Sequence, residues 1–99
     1  MLPGAPQNLT AVRGSTIGIQ LSWSAPSSTG GAASVTYNVY RGTTPGGEST
    51  TPIATGLAST SYLDNSSSLI SGKKYFYKVA AVNSAGKGPS SNEASAKAR

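Results

Sequence analysis

The sequence predicts an all-β sandwich of about seven short strands arranged in two antiparallel sheets. Several short segments alternate apolar with polar residues, which is the pattern of strands that bury one face. Segments rich in Gly, Pro, Ser, Thr and Asn separate them and are typical of turns. The chain has 99 residues, which suffices for one hydrophobic core and leaves no room for a second.

The central strands show the clearest alternation. Residues 17–24 place Ile17, Ile19, Leu21 and Trp23 on one face, and the same spacing recurs over residues 35–39 and 75–81. Residues 9–12, 53–54, 61–63 and 93–98 alternate more weakly and are predicted to form edge strands. Loops are predicted for residues 26–34, 42–52, 65–72 and 84–91.

The composition argues against catalysis. The chain contains no His and no Cys, so a nucleophile activated by His and a zinc site are both excluded. Its acids are Glu48, Asp64 and Glu93, which we predict to be separate, solvated side chains rather than a glycosidase pair or a calcium site. We therefore expect no catalytic residue, no metal and no cofactor.

The charge pattern predicts a solvated surface. Eight basic and three acidic residues give a net charge of +5, but the basic residues are spread along the chain and are not interleaved with aromatic residues. We therefore expect no nucleic-acid partner. No apolar stretch is long enough for a membrane span, and the first residues lack a signal-peptide pattern. A monomer without a membrane partner is expected.

Four segments have a characteristic order and spacing: LSWSAP at 21–26, YNVYR at 37–41, LISGKKY at 69–75 and VAAVNSAG at 79–86. Together they resemble a fibronectin type III domain, and the resemblance covers essentially the whole chain. It implies an immunoglobulin-like Greek-key sandwich. Ser71 departs from the family, which often has Pro at this position. The resemblance predicts residues 6–99 as the domain and residues 1–5 as a preceding start and linker segment.

The resemblance and the alternation together predict the core. It should contain Trp23, Tyr37, Val39, Tyr62, Leu69, Tyr75, Tyr77 and Val79. Tyr75 fits the tyrosine corner, whose hydroxyl bonds nearby backbone, here at residues 69–72. The family's core layers set Tyr37 opposite Val79 and Val39 opposite Tyr77. In that register Tyr40 and Phe76 would form an exposed aromatic pair, which we predict as the interaction surface.

The loop composition is similar to that of bacterial fibronectin type III modules in extracellular chitinases and cellulases. This implies a non-catalytic spacer or interaction module of a secreted polysaccharide-degrading enzyme, with neighbouring domains of the parent chain as partners. The parent would then be a glycoside hydrolase. One alternative is weak polysaccharide binding through Tyr40 and Phe76. Another is a cell-surface adhesion or receptor ectodomain, which the lack of an Arg-Gly-Asp tripeptide weakens.

Overall fold

The computed structural model describes residues 2–14, 18–31, 35–48, 52–65 and 69–98. Within these ranges the chain forms strands and no helix. Ile17, the first residue of the predicted alternation, lies outside them. The strands are β1 (Gln7–Arg13), β2 (Ile19–Ser24), β3 (Thr36–Gly42), β4 (Ala54–Leu57), β5 (Ser61–Asp64), β6 (Lys74–Asn83), β7 (Gly86–Ser90) and β8 (Ala94–Lys97).

The strands form two antiparallel sheets. One sheet has the order β1-β2-β5. The other has the order β4-β3-β6-β7, with β8 also paired to β6. The chain is therefore an all-β sandwich, as the sequence predicts. Among the described residues, no helix is long and apolar enough to cross a membrane.

The core lies between the two sheets and is built from the inward positions of β2, β3 and β6. Buried side chains alternate with more exposed ones along β2 and at the start of β6, because successive side chains point to opposite faces. Six of the predicted core residues are buried, and two are partly buried against the same cluster. The buried six are Trp23, Tyr37, Val39, Tyr75, Tyr77 and Val79; the other two are Tyr62 and Leu69.

The register between β3 and β6 differs from the prediction by two residues. Val39 pairs with Val79, Tyr40 with Lys78, and Gly42 with Phe76. The predicted opposition of Tyr40 and Phe76 is therefore wrong. A shift of two residues keeps every side chain on its original face, so a pattern of period two cannot distinguish the two registers.

The last strand of the sandwich is broken into β7 and β8. The sequence predicts a loop over residues 84–91, but Gly86–Ser90 pairs with β6. Gly and Pro disfavour strands in general, yet β7 lies at a sheet edge, where Pro89 removes no bond that the interior of the sheet needs. Long-range pairing therefore overrides the local preference.

Two polar side chains hold the break between β7 and β8 in place. The Asn92 side chain accepts a hydrogen bond from the Leu9 N–H and donates one to the Leu9 carbonyl, each at 3.0 Å. The Ser91 hydroxyl accepts from the Val79 N–H at 3.0 Å. The break thus replaces strand pairing with side-chain bonds to both sheets, because buried backbone groups need partners.

The turn before β6 is closed by a tyrosine. The Ile70 N–H donates to the Tyr75 hydroxyl at 2.9 Å. Tyr75 is buried, so this bond gives its hydroxyl a partner that solvent could not easily supply. It is the backbone contact expected of a tyrosine corner.

The first described residues pack against the sandwich. Pro3 is fully buried, and the Gly4 N–H donates to the Ser28 carbonyl at 2.8 Å. A Cβ added to Gly88 would collide with the Pro3 carbonyl oxygen, which shows how closely the two backbones approach. Residues 3 and 4 therefore contribute to the packed surface, while the domain boundary after residue 5 stays a prediction.

The two ends of the described chain lie at opposite ends of the sandwich. The Leu2 side chain lies beside Gly86, just beyond the last residue of β6 and the turn that follows it. At the other end, the Gly72 N–H donates to the Ala98 carbonyl at 2.8 Å. The ten residues of β6 separate these contacts by about 33 Å. Residues 2 and 98 therefore lie near opposite ends of a body 41 Å long.

Candidate functional site

A polar cluster lies inside the sandwich, between the sheets. The Asp64 carboxylate is fully buried on β5. Arg41 Nη1, from β3, lies 2.9 Å from Asp64 Oδ2. The Tyr77 hydroxyl, from β6, donates to the same oxygen at 2.7 Å. The cluster therefore ties β5 of one sheet to β3 and β6 of the other.

The chemistry of this cluster is structural. Burial, and then the hydrogen bond to the Asp64 carboxylate, raises the pKa of the Tyr77 hydroxyl far above its ordinary value. The hydroxyl therefore stays protonated and remains a donor. The prediction that Asp64 is a separate, solvated acid is wrong, because the side chain has no exposed surface. A substrate could not reach it.

The predicted aromatic interaction surface does not form as expected. Tyr40 is only 7% exposed. Its hydroxyl accepts a hydrogen bond from Asn38 Nδ2 at 3.3 Å, and Lys87 Nζ lies 5.1 Å from the centre of its ring. Phe76 is partly buried, with Lys74 Nζ 5.5 Å from its ring. Both rings contact an ammonium group, so they do not offer the pair of exposed aromatic planes that the sequence predicts.

The outer face of the sheet formed by β4, β3, β6, β7 and β8 carries a group of basic side chains, which we call the lysine face. Phe76 and Lys78 share a face of β6 with Lys74, since they lie at alternate positions. Pairing across the sheet then sets further basic residues on the same side. The lysine face consists of Lys74 and Lys78 on β6, Lys97 opposite Lys74 on β8, and Lys87 opposite Val82 on β7.

The lysine face could not be predicted from the sequence because its basic residues are distant from one another along the chain. Strand pairing, which no local pattern reveals, brings β7 and β8 to either end of β6. A partial signal was present, because Lys74, Phe76 and Lys78 occupy consecutive outward positions of one strand. The basic residues are spread along the chain, as expected, but four of the lysines lie on one face of the folded sheet.

Two of the acids meet at the edge of the lysine face. The Glu48 side chain is 6% exposed, and its Oε1 lies 3.8 Å from Lys78 Nζ. It also contacts the Glu93 carboxyl group. Glu93 Oε2 accepts from the Gly46 N–H at 2.6 Å, which attaches the turn after β3 to the start of β8. The prediction of separate, solvated acids is therefore wrong for Glu48 and Glu93 as well.

This acid pair holds a proton more tightly than an isolated carboxyl group. Burial, and then the contact with Glu93, raises the pKa of Glu48. The contact with Glu48, followed by the Gly46 N–H, lowers the pKa of Glu93. Glu48 Oε2 is buried and has no partner at ordinary hydrogen-bond geometry among the described residues, so a negative charge on it would be poorly compensated. A proton on Glu48 makes its carboxyl group a donor to Glu93, which explains both opposite shifts.

We expect the Glu48→Gln variant to gain stability relative to the parent chain as the pH rises from about 4 to about 7. A raised pKa stabilises the fold at low pH, and this contribution is lost as pH rises through the folded-state value. The Gln amide cannot ionise and can still donate to Glu93. Urea denaturation of both proteins across this range measures the difference. Parallel stability profiles would contradict the proton-sharing pair.

The remaining chemistry of the acid pair is limited. The carboxyl groups of glycosidases stand about 5 to 9.5 Å apart across a cleft, whereas Glu48 and Glu93 lie on either side of one turn and shift each other's pKa in opposite directions. Within the described ranges, no three potential metal ligands of the His, Cys, Asp and Glu types come together. The described side chains that gather on the surface are therefore suited to charge-based contacts rather than to bond breaking.

Comparison with known proteins gives a family match over nearly the whole chain. A family model described as the fibronectin type III domain matches residues 4–97. No curated protein matches the chain.

Several solved structures have the same fold. An Fn3-like protein from Clostridium thermocellum is 38% identical and superposes with a TM-score of 0.77, covering 96% of this chain and 92% of that chain. The fibronectin type III domain of human fibronectin type III domain containing protein 3 is 26% identical, with a TM-score of 0.75 and coverage of 98% and 86%. The FN5 domain of Drosophila Lar, at 23% identity and a TM-score of 0.71 over 97% and 96%, supports the fold alone.

Proposed function

Because the chain belongs to the fibronectin type III family, we propose that it is a non-catalytic spacer and interaction module of a secreted, multidomain polysaccharide-degrading protein. The observation that carries this proposal is the position of its two ends. Leu2 lies beside Gly86, whereas Ala98 bonds Gly72 at the opposite end of β6. A chain that enters and leaves at opposite ends can hold two neighbouring domains a fixed distance apart.

The packing of the module supports a rigid spacer. Eight strands of the described chain pair into two sheets, and the Arg41, Asp64 and Tyr77 cluster joins the sheets internally. A folded body with a long axis of 41 Å resists compression, unlike a flexible linker of Gly and Ser. The module would therefore keep a catalytic domain and a substrate-binding domain from collapsing onto each other.

The chemistry of the described residues and the comparisons favour this role over catalysis in the module. The buried Asp64 is used in packing, and the Glu48 and Glu93 pair stabilises a turn. The relative from Clostridium thermocellum supports a bacterial setting. The alternative of sugar binding on exposed aromatic planes loses its basis, since Tyr40 is buried and an ammonium group contacts Phe76.

The test uses the full-length protein that contains this chain. The module is replaced in one version by a Gly/Ser segment of 99 residues, the length of the chain, and in a second version by an unrelated β-sandwich of similar length. Hydrolysis of an insoluble polysaccharide and of a short soluble substrate is then measured for each version. We expect the Gly/Ser version to lose activity on the insoluble substrate alone, and the unrelated sandwich to restore it.

Two outcomes would overturn the spacer role. The first is a parent protein without polysaccharide hydrolase activity. The second is a Gly/Ser version that hydrolyses the insoluble substrate as fast as the original protein. If the unrelated sandwich failed to restore activity, the function would lie in the surface of this module rather than in its length.

A further inference from the structure

The acids of this chain leave most of the lysine face without a counter-charge. The chain has three acidic residues, and all three lie in the described ranges. Asp64 pairs with Arg41 inside the sandwich. Glu48 contacts Lys78 and Glu93. No other acidic side chain exists, and among the described residues the ammonium groups of Lys74, Lys87 and Lys97 have no carboxylate partner.

One pair of lysines on this face destabilises the sheet. Lys74 on β6 and Lys97 on β8 are directly opposite each other, and both are exposed. Like charges at directly opposite positions of an antiparallel pair destabilise the sheet. An anion resting between the two ammonium groups would remove this repulsion.

The lysine face is also elongated. Lys74 and Lys78 lie four residues apart on one face of β6, which corresponds to about 13 Å. Lys87 lies beyond them, opposite Val82. The basic groups therefore follow the length of β6 instead of surrounding one point, an arrangement that fits an extended ligand with repeated charges.

The aromatic side chains on this face narrow the class of ligand. Single-stranded nucleic acids are bound by stacking bases on exposed aromatic planes, and neutral sugars also rest on such planes. Here Lys87 lies over Tyr40 and Lys74 over Phe76. Protein interfaces usually have an apolar centre, and Tyr40 is too buried to supply one on this face. Recognition on this face is therefore by charge alone.

We propose that the lysine face binds a linear anionic polysaccharide that carries carboxylate or sulfate groups along its length. The ammonium groups are compact point charges on flexible stems, and these can follow an irregular spacing of anions. Binding of this kind is weakened by salt. The inference does not depend on the spacer role, because it concerns the isolated module.

The experiment measures binding of the isolated chain to four polymers at an ionic strength of about 0.15 M, where charges are screened beyond about 8 Å and a charge on the opposite sheet, about 10 Å away, acts weakly. The polymers are dextran sulfate, polygalacturonate, neutral dextran and a single-stranded oligothymidylate. We expect binding to one or both acidic polysaccharides and none to neutral dextran. The sulfate and carboxylate polymers show which anion is preferred, and calorimetric titration gives the affinities.

Two variants distinguish binding by the lysine face from attraction of the polymer to the net positive charge of the whole chain. Lys74→Gln with Lys97→Gln removes two charges from the lysine face, whereas Arg13→Glu lowers the net charge equally from β1 of the other sheet. Each exposed ion pair contributes modestly, so we expect the double variant to bind roughly tenfold more weakly. Arg13→Glu should change affinity by less than about twofold, because its charge lies on the opposite sheet.

The outcomes decide the proposal. Equal weakening by both variants, or none by the double variant, would show that no particular face is used. Binding to neutral dextran as tight as to dextran sulfate would show that charge is not the basis of recognition. Tighter binding to the oligothymidylate than to either acidic polysaccharide would replace the proposal with nucleic-acid binding. Removing the repulsion between Lys74 and Lys97 should not weaken the sheet, so a melting temperature of the double variant at or above that of the parent chain confirms that any loss comes from the surface and not from unfolding.

Discussion

Replacing Trp23 with alanine is expected to lower the free energy of unfolding by about 3 to 5 kcal/mol. The Trp23 side chain is 5% exposed, and its ring meets Tyr37 edge to face with centroids 5.4 Å apart. Removing it leaves a cavity in the centre of the sandwich that neighbouring strands cannot fill. Domains of this size are stable by about 5 to 15 kcal/mol, so the variant would be close to unfolding.

The matched control is Trp23→Phe. Trp23 Nε1 is buried and has no hydrogen-bond partner in the described part of the chain. Phe removes this unsatisfied donor while keeping a ring against Tyr37, so we expect it to cost less than half as much as Ala. Because the chain has one Trp, unfolding in urea should be followed by circular dichroism rather than by Trp fluorescence. Equal costs for Phe and Ala would show that the ring does not fill the core.

The alternation of side chains explains why the inside and outside of the central strands could be predicted. On β2 and β6 the inward positions are occupied by large apolar side chains such as Leu21, Trp23 and Tyr77, and a single register error would expose all of them on that strand. The energetic difference between the two faces is large. The assignment of side chains to the two faces is encoded in each strand's own sequence, and an alternation with a period of two residues is enough to detect it.

The pairing between strands could not be predicted in the same way. The predicted and observed partners of Tyr40 on β6 are two residues apart, and both choices keep Tyr40 on the outer face. Which register forms depends on contacts between distant segments. The same is true of β7, whose Gly and Pro residues predict a loop but whose position beside β6 makes it a strand.

The burial of charged residues was missed, although part of the signal was present. Arg41 follows Tyr37 and Val39 at inward positions of β3, and Asp64 follows Tyr62 at the inward positions of β5. Opposite charges at inward positions of two facing sheets predict a buried ion pair. Composition favours exposed charges, so it led to the wrong prediction for Asp64. The lysine face was missed for a different reason, because it exists only after the strands pair.

Replacing Asp64 with alanine is expected to lower the free energy of unfolding by about 3 to 5 kcal/mol. Asp64 is fully buried, with Arg41 Nη1 at 2.9 Å and the Tyr77 hydroxyl at 2.7 Å from its Oδ2. Without the carboxylate, both donors lose this acceptor in a region where water cannot easily replace it. The cost is therefore dominated by the groups left behind, and not by the attraction that is lost.

This explanation requires that the cost depend on Arg41 and Tyr77. In a chain that already carries Arg41→Met and Tyr77→Phe, these two donors are gone, so Asp64→Ala should cost less than half as much as in the parent chain. Urea denaturation of the four proteins, at a pH where the carboxylate is ionised, gives both costs. Asp64→Asn is the conservative variant: it keeps an oxygen that can accept from Tyr77 but loses the charge that faces Arg41. We expect its cost to lie between those of the parent chain and Asp64→Ala. Equal costs of Asp64→Ala in the two backgrounds would mean that Asp64 stabilises the sandwich by means other than its bonds to Arg41 and Tyr77.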